Sequence, residues 1–295
     1  MKNLKIATQE ITQLHDIRDL VTAYQEIAAN QMQIIRAEVL KKREFLTDIN
    51  TLFAEVLASY KHEILKLAEK NKTADPNSLS VLKRNGKTAF VFLSANTGLY
   101  GDIIRKTFDT FMTDMKATPP AGGSTPDVVI IGELGKGMFE SVSKNPYTYF
   151  SFSDQTVDTT ELTKCVAFLL QYETIYIYHG KFDSVVTQSP TKVNVSGGFD
   201  TSEQTDAVIE KKYFFEPSLE KIVSYFESEI FTSLVEQALH ESALAKFASR
   251  MVALEQAVDN VKGKVLQKQQ EALRIRHYIA NKKQQNGLVS RFYLQ

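Results

Sequence analysis

The sequence predicts an α/β fold: a Rossmann-like central α/β domain joined to a long antiparallel coiled coil formed by the N- and C-terminal helices. Three observations predict it. Residues 8–70 contain neither Gly nor Pro, and the same is true from Ser218 up to Gly263. Apolar residues in both runs recur at alternating steps of three and four. Between the runs, segments of strand and helix character alternate, and nearly all the Gly and all the Pro fall there. The expected boundaries are 1–72 for the N-terminal coiled-coil helix, 73–216 for the Rossmann-like α/β domain and 217–295 for the C-terminal coiled-coil helix.

A breaker-free run of some 60 residues reads as one helix of ~90 Å, longer than a compact domain of this size can surround. Its apolar positions are Leu14, Ile17, Val21, Tyr24 and Ala28, then Phe45, Ile49, Leu52 and Val56. In the C-terminal run, Leu244, Phe247, Met251, Leu254, Val258, Val261 and Val265 form a cleaner seam, which resumes at Ala272, Ile275 and Ile279. A heptad seam predicts a left-handed coiled coil. Two seams at opposite ends of one chain pair most simply as an antiparallel hairpin. The alternative, each stripe packed on the middle domain as an ordinary amphipathic helix, needs a larger middle than the chain has.

The middle reads in order as follows. Thr88–Ser94 is a buried-strand run, and Gly98–Gly101 leads into a helix over Ile103–Met115. Asp127–Gly132 is a second strand, followed by a short helix near Met138–Val142. Tyr147–Phe152 reads as a strand, Glu161–Gln171 as a helix and Thr174–Tyr178 as another strand, with Phe182–Thr187 as its hairpin partner. Repeated β-α-β units predict a parallel sheet. Lys72–Ser78 and Ser196–Ser202 have loop composition.

The 295 residues carry 35 Lys+Arg against 35 Asp+Glu, so no net charge draws the chain to nucleic acid or to a membrane surface. Cys165 stands alone, which excludes an intrachain disulfide and suits a reducing compartment. No stretch approaches the ~20 apolar residues of a membrane span. The first residues, Met1 to Lys5 with Glu10 and Asp16 soon after, lack the apolar core of a secretory signal. A cytoplasmic protein is expected.

Candidate chemistry is sparse. Gly132-Glu-Leu-Gly135-Lys-Gly137 follows a strand, but a dinucleotide fingerprint needs the reverse glycine spacing, and a phosphate loop needs Ser or Thr where Met138 stands. A tight strand-to-helix turn is the plainer reading. His15, His62, His179, His240 and His277 are scattered and have no metal-ligand spacing, and His240-Glu241 reads as helix surface. Cys165 lies in an apolar helical segment as a buried, inert thiol. Glu227 and Glu229 read as exposed positions of the long helix. No catalytic residue, metal site or cofactor is expected. Charge is nevertheless uneven along the C-terminal helix. Up to Asp259 acids dominate; after Asn260 come Lys262, Lys264, Lys268, Arg274, Arg276, Lys282, Lys283 and Arg291 against Glu271 alone. A solvated tip and an acidic partner surface both fit this pattern.

Five segments, in order and nearly end to end, resemble the gamma subunit of F-type ATP synthases. Ser94-Ala-Asn-Thr-Gly98-Leu99-Tyr-Gly101-Asp is similar to the family's S-T-D-R-G-L-C-G-G, and Ile131-Gly132-Glu-Leu-Gly135-Lys-Gly-Met-Phe139 to I-G-x-K-G-x-x-F-F. Lys181-Phe182 and Gln188-Ser-Pro190-Thr191 match N-K-F…Q-x-P-T. Ala248-Ser-Arg250-Met251-Val-Ala253, continuing to Asp259-Asn260, resembles A-A-R-M-x-A-M-x-x-A-x-D-N, and Arg276 falls where the family carries Arg-Gln. Ile27-Ala28-Ala29-Asn30-Gln31-Met32 is similar to V-A-A-S-K-M. Departures are Thr22 and Gln31 in place of positive residues, Asn96 and Thr97 in place of Asp and Arg, His277 after Arg276, and Lys283 where the family has Glu. They imply a divergent or alternative member.

The resemblance implies a non-catalytic central rotor shaft coupling ion translocation to ATP synthesis or hydrolysis. Its implied partners are the alpha and beta subunits of the catalytic ring, an epsilon-type subunit and the c-subunit ring, at the cytoplasmic face of a membrane and without nucleic acid. It places Ala28, Ala29, Arg250, Met251, Asp259, Asn260, Lys262, Lys264, Lys268 and Arg276 at the rotor–ring interface. A gamma-like shaft in a complex not coupled to ion transport, a stand-alone coiled-coil scaffold and a dinucleotide-dependent enzyme are the other readings.

Overall fold

The computed structural model describes residues 2–70, 84–117, 125–154, 157–196, 216 and 218–292. The loop at Lys72–Ser78 and all but the first residue of Ser196–Ser202 lie outside these. The elements are α1 (Lys2–Lys70), β1 (Thr88–Leu93), α2 (Ile103–Ala117), β2 (Asp127–Ile131), α3 (Glu133–Val142), β3 (Tyr147–Phe150), α4 (Thr159–Leu169), β4 (Thr174–Phe182), β5 (Gln188–Asn194) and α5 (Leu219–Phe292). The chain forms two compact units. One comprises Met1–Asn30 with Arg250–Gln295, the other Gln31–Ser249.

In the second unit the strands form one sheet of order β3-β2-β1-β4-β5. β1 pairs in parallel with β2 and β4, β2 in parallel with β3, and β5 closes the edge antiparallel to β4. A parallel strand covered on both faces needs apolar side chains at nearly every position, and β1 (TAFVFL) and β2 (DVVII) have them. Alternation then sends Ala89, Val91, Leu93, Val129, Ile131, Ile175 and Ile177 to one face, against Leu162, Cys165, Val166 and Leu169 of α4 and Phe231, Val235, Ala238 and Leu239 of α5. Phe90, Phe92, Val128, Ile130 and Tyr178 take the other face, against Phe108 and Phe111 of α2 and Phe139 of α3. One of the two long terminal helices is thus a flanking layer of the sheet.

Behind α5, α1 adds a third cluster. Leu46, Ile49 and Phe53 pack on Val223 and Ile230, and the Phe53 and Phe226 ring centroids stand 5.3 Å apart. Each such side chain contributes about 1.5–3 kcal/mol on burial. The helices run antiparallel, with Lys42 bonded to Glu236 at 2.7 Å and Arg43 to Glu241 at 2.8 Å. In the first unit they also run antiparallel. Ala7, Ala28, Leu254, Val258, Val265 and Ala272 are buried there, and Glu10 meets Lys268 at 2.9 Å.

Several expectations are corrected. On α1 the buried seam is Ala28, Ile35, Val39, Leu46, Ile49, Phe53 and Val56, whereas Ile17, Tyr24, Phe45 and Leu52 are 47%, 44%, 41% and 46% exposed. α1 carries two apolar stripes side by side, and apolar content alone does not say which one meets α5. The helix after β2 starts at Glu133, directly after Gly132. The partner of β4 is β5, not Phe182–Thr187, because β4 runs on through Phe182 and Ser184 closes the turn on Thr187. Pro190 is tolerated in β5 because that strand lies at the sheet edge.

The Gly132 loop is a packing device. Gly132 has φ 99°, and a Cβ there would lie 2.7 Å from the Ala95 amide nitrogen; one on Gly135 would lie 2.6 Å from Ser94 Cβ. The glycines let the first turn of α3 close on the end of β1. Gly132→Ala is expected to cost about 3 kcal/mol, from left-handed strain plus overpacking. Gly137→Ala, in open space within the same helix, should stabilise by about 0.5–1 kcal/mol. Denaturant unfolding of the two variants checks the opposite signs.

Candidate functional site

In the first unit the residues expected at a rotor–ring interface separate into three settings. Ala28 is buried against the helix pair, and Ala29, Arg250 and Met251 are half-buried. Asp259, Asn260, Lys262 and Arg276 are exposed, with Asp259 and Lys262 paired at 3.0 Å. Lys264 and Lys268 line a groove of about 410 Å³ with Glu10, Gln13, Leu14, Ile17 and Gln267. Lys268 is already engaged, bonded to Glu10 at 2.9 Å and to Glu271 at 3.0 Å, and those hydrogen bonds raise its pKa. Lys262 and Lys264 are therefore the predicted lysines whose charge faces outward without bridging the two helices. The structure keeps the predicted residues on two helices of one unit but does not gather all of them into one patch.

The second unit holds a polar centre that the sequence did not announce. At the carboxyl ends of β1, β2 and β3 the Asp154 carboxylate accepts from the Asn96 amide at 3.1 Å, from the Thr97 amide at 3.1 Å and from the Thr97 hydroxyl at 3.1 Å. Lys246, reaching over from α5, donates to Asp154 at 3.3 Å and to the Ser94 carbonyl at 3.0 Å. The side chains of Lys246 and Asp154 are 10% and 9% exposed. Burial pulls the Lys246 pKa down, and the Asp154 charge works against that pull. Asn96 also donates to the Phe152 carbonyl and accepts from the Glu133 amide, tying the ends of three strands together. Beside this centre lies a cavity of about 30 Å³, lined in part by Ser94, Asp154, Ser242 and Lys246. Ser94 Oγ is buried there with no hydrogen-bond partner among the described residues. The loop that follows turns through Leu99, which holds φ 68° and is 67% exposed. A bulky residue in that region is strained and marks a backbone held in place by its surroundings.

Positions read as helix surface turn out to be covered. Glu227 is 5% exposed, and the His240 and Glu241 side chains are 14% and 13% exposed. α5 is enclosed by α1 on one side and the sheet on the other over this stretch, so positions that face water in a two-helix coil are buried here. His179 is buried, with Nδ1 2.9 Å from the Gly180 carbonyl. Desolvation holds its imidazole below the ordinary 6.5, with the Glu241 charge opposing. Cys165 is buried in the core, and desolvation pushes its thiol up to about 12, which makes it inert as a nucleophile. Among the described residues no group of three or more His, Cys, Asp or Glu is placed to hold a metal ion, and no helix is long and apolar enough to cross a membrane.

The sequence pattern of the ATP synthase family matches residues 3–277. The ATP synthase gamma chain of Mesoplasma florum is 23% identical over 268 residues, which cover 89% of this chain and 88% of that one. The ATP synthase gamma chain of Thiobacillus denitrificans is 21% identical over 264 residues, covering 86% of each. Among solved structures, the fold is similar to a chain of the central stalk and c-ring of the Tetrahymena thermophila mitochondrial ATP synthase. The TM-score is 0.54 at 17% identity, with 81% of this chain and 99% of that chain covered. A chain of the Euglena gracilis mitochondrial ATP synthase gives a TM-score of 0.52 at 13% identity, covering 90% and 95%.

Acid should loosen the second unit in two steps. The His179 pKa lies below its ordinary 6.5 in the folded chain, so the stability tied to its neutral form is complete above that value and declines as pH falls below it. The Glu236 pKa is lowered by hydrogen bonds from His240 and Lys42. Burial would raise that of Glu241, but bonds from Gln237 and Arg43 outweigh it. Their contribution is present above the ordinary 4.5 and is lost as pH drops through the lower folded values. Melting temperature measured against pH should show both declines, and His179→Gln should remove the first.

Proposed function

The chain belongs to the ATP synthase family, and from that premise we infer that it is a gamma chain, the central rotor shaft of a rotary F-type ATP synthase or ATPase. The observation that carries this reading is the extent of the family match: residues 3–277 include the sheet and nearly all of both long helices, and the relatives of similar length are gamma chains.

In this reading the chain performs no catalytic step. It turns within a ring of alpha and beta subunits, presents a different face to each catalytic site in turn, and so biases each toward a different nucleotide state. Ion flow through the c-subunit ring drives the turn in synthesis, and ATP hydrolysis drives it in reverse. An epsilon-type subunit completes the rotor, and the chain meets the membrane, at its cytoplasmic face, only through the complex. Of the residues expected at the ring, Ala28 is buried within the helix pair, and the groups left to meet the ring are Ala29, Arg250, Met251, Asp259, Asn260, Lys262, Lys264, Lys268 and Arg276. Apolar side chains on the outer faces of the first unit, among them Leu20, Ile27, Leu266 and Leu273, are 57%, 56%, 62% and 49% exposed. That surface suits a bearing enclosed by partner chains better than one left in water.

Charge reversal separates partner contacts from internal ones. Lys262→Glu with Lys264→Glu should cost the isolated chain no more than about 0.5 kcal/mol, since the Asp259–Lys262 pair that is lost is exposed, and weaken ATP-driven turnover of the assembled complex about tenfold, the scale of roughly 1.4 kcal/mol. Lys268→Glu should in addition lower the melting temperature of the chain alone, since it sets two carboxylates against each other where Glu10 and Lys268 now pair. Unchanged turnover in the double variant would count against the basic end as a partner surface.

A further inference from the structure

We propose that the Asn96–Thr97 loop is a carboxylate-binding site that the chain fills with its own Asp154, and that a small free carboxylate will occupy it when the Asp154 side chain is removed. Four donors converge on one carboxylate: two successive backbone amides, the Thr97 hydroxyl and the Lys246 ammonium, all between 3.1 and 3.3 Å. Successive amides turned toward one point form the kind of concavity that holds bound anions. This one lies outside the carboxyl ends of parallel strands, where open α/β sheets hold their ligands. Both charged side chains are about nine-tenths buried while Thr97 lies at the surface, so the fold walls the site on the Lys246 side and leaves it reachable from solvent at the loop. The adjoining cavity and Ser94 Oγ, which has no hydrogen-bond partner among the described residues, add room and one further polar group.

The internal occupant explains two other observations. Lys246, on α5, is fixed at once to Asp154 and to the end of β1 through the Ser94 carbonyl. Asp154 therefore acts as a positioning residue, joining α5 to the loop that carries the strained, outward Leu99. Thr97 Oγ1 and the Tyr100 hydroxyl lie 3.2 Å apart, and the Tyr100 ring packs edge-on against Phe247 of α5 at 5.7 Å. The loop is thus held on both sides of Leu99. The proposal does not depend on the chain being a shaft.

The test uses the full-length chain carrying Asp154→Ala and hydrogen exchange at the Asn96 and Thr97 amides. Exchange should speed up about tenfold or more, because two amide donors to a charged acceptor lose their partner. Formate in the tens of millimolar should restore protection along a saturating curve, and chloride at equal ionic strength should not. Adding Lys246→Met should abolish the formate effect. Amides that stay protected in Asp154→Ala, or a formate response no greater than that of chloride, would overturn the proposal. Should Asp154→Ala fail to fold, Asp154→Ser, which keeps a small polar group but no carboxylate, decides the matter by the same readout: protection restored by formate and not by chloride supports the site, and an equal response to the two salts rules it out.

Discussion

The whole structure depends on the double burial of α5 between Val223 and Ser249. Over this stretch the helix packs on the sheet through Phe231, Val235, Ala238 and Leu239, and on α1 through Val223 and Ile230. Leu234 touches both clusters. A helix covered on two sides cannot be a simple amphipath, which is why Glu227, Ser233, Ser242, Lys246 and Ser249 are buried as well. Burying polar groups is tolerable only if each finds a partner. Lys246 finds two, in Asp154 and the Ser94 carbonyl. From Leu254 onward, in the other unit, the buried positions thin to a single stripe through Val258, Val265 and Ala272. One helix therefore follows two packing regimes, layer of a sheet and partner in a coil.

The sheet shows how a Rossmann-like architecture can spend its strand-end loops on packing. The glycines after β2 are spent on close approach: Gly132 on the Ala95 backbone and Gly135 on Ser94. The amides after β1 hold Asp154. A buried lysine lies over the same point. The features that would hold a phosphate elsewhere are used here to fasten a helix to strand ends, in keeping with a chain whose role is mechanical.

Much of this was legible in the sequence. Breaker-free runs gave both long helices, and strands buried on both faces gave β1 and β2 through continuous apolar stretches. On α5 the expected seam residues Leu244, Phe247, Leu254, Val258, Val265 and Ala272 are buried, whereas Met251 and Val261 are half-buried and Phe247 packs on Tyr100. On α1 only part of the expected seam, Ala28, Ile49 and Val56, is buried, because Ile17, Tyr24, Phe45 and Leu52 make a second stripe of equal apolar weight, and only contact with α5 decides between the two. β5 was missed because Gln188–Asn194 is polar and contains Pro190, as an edge strand may be. The Asp154–Lys246 centre was illegible for a different reason. Its members lie 92 positions apart, Lys246 reads as one charge on a charged helix, and Asp154 sits in an unremarkable Ser-Asp-Gln loop. The basic residues after Asn260 were visible as a cluster, but the engagement of Lys268 by Glu10 was not, since it depends on the register of the antiparallel pair, which apolar spacing alone does not fix.

Rotation is the most direct measure of the central claim. Cys165 is buried and unreactive, so Val186→Cys, at a position 76% exposed on the β4–β5 turn, gives a single attachment point for an optical probe. In the native complex, purified with its alpha and beta subunits fixed to a surface, the probe should turn in one direction while ATP is hydrolysed and stop when the nucleotide is exhausted. A probe that stays still while the complex hydrolyses ATP at its normal rate would contradict the account.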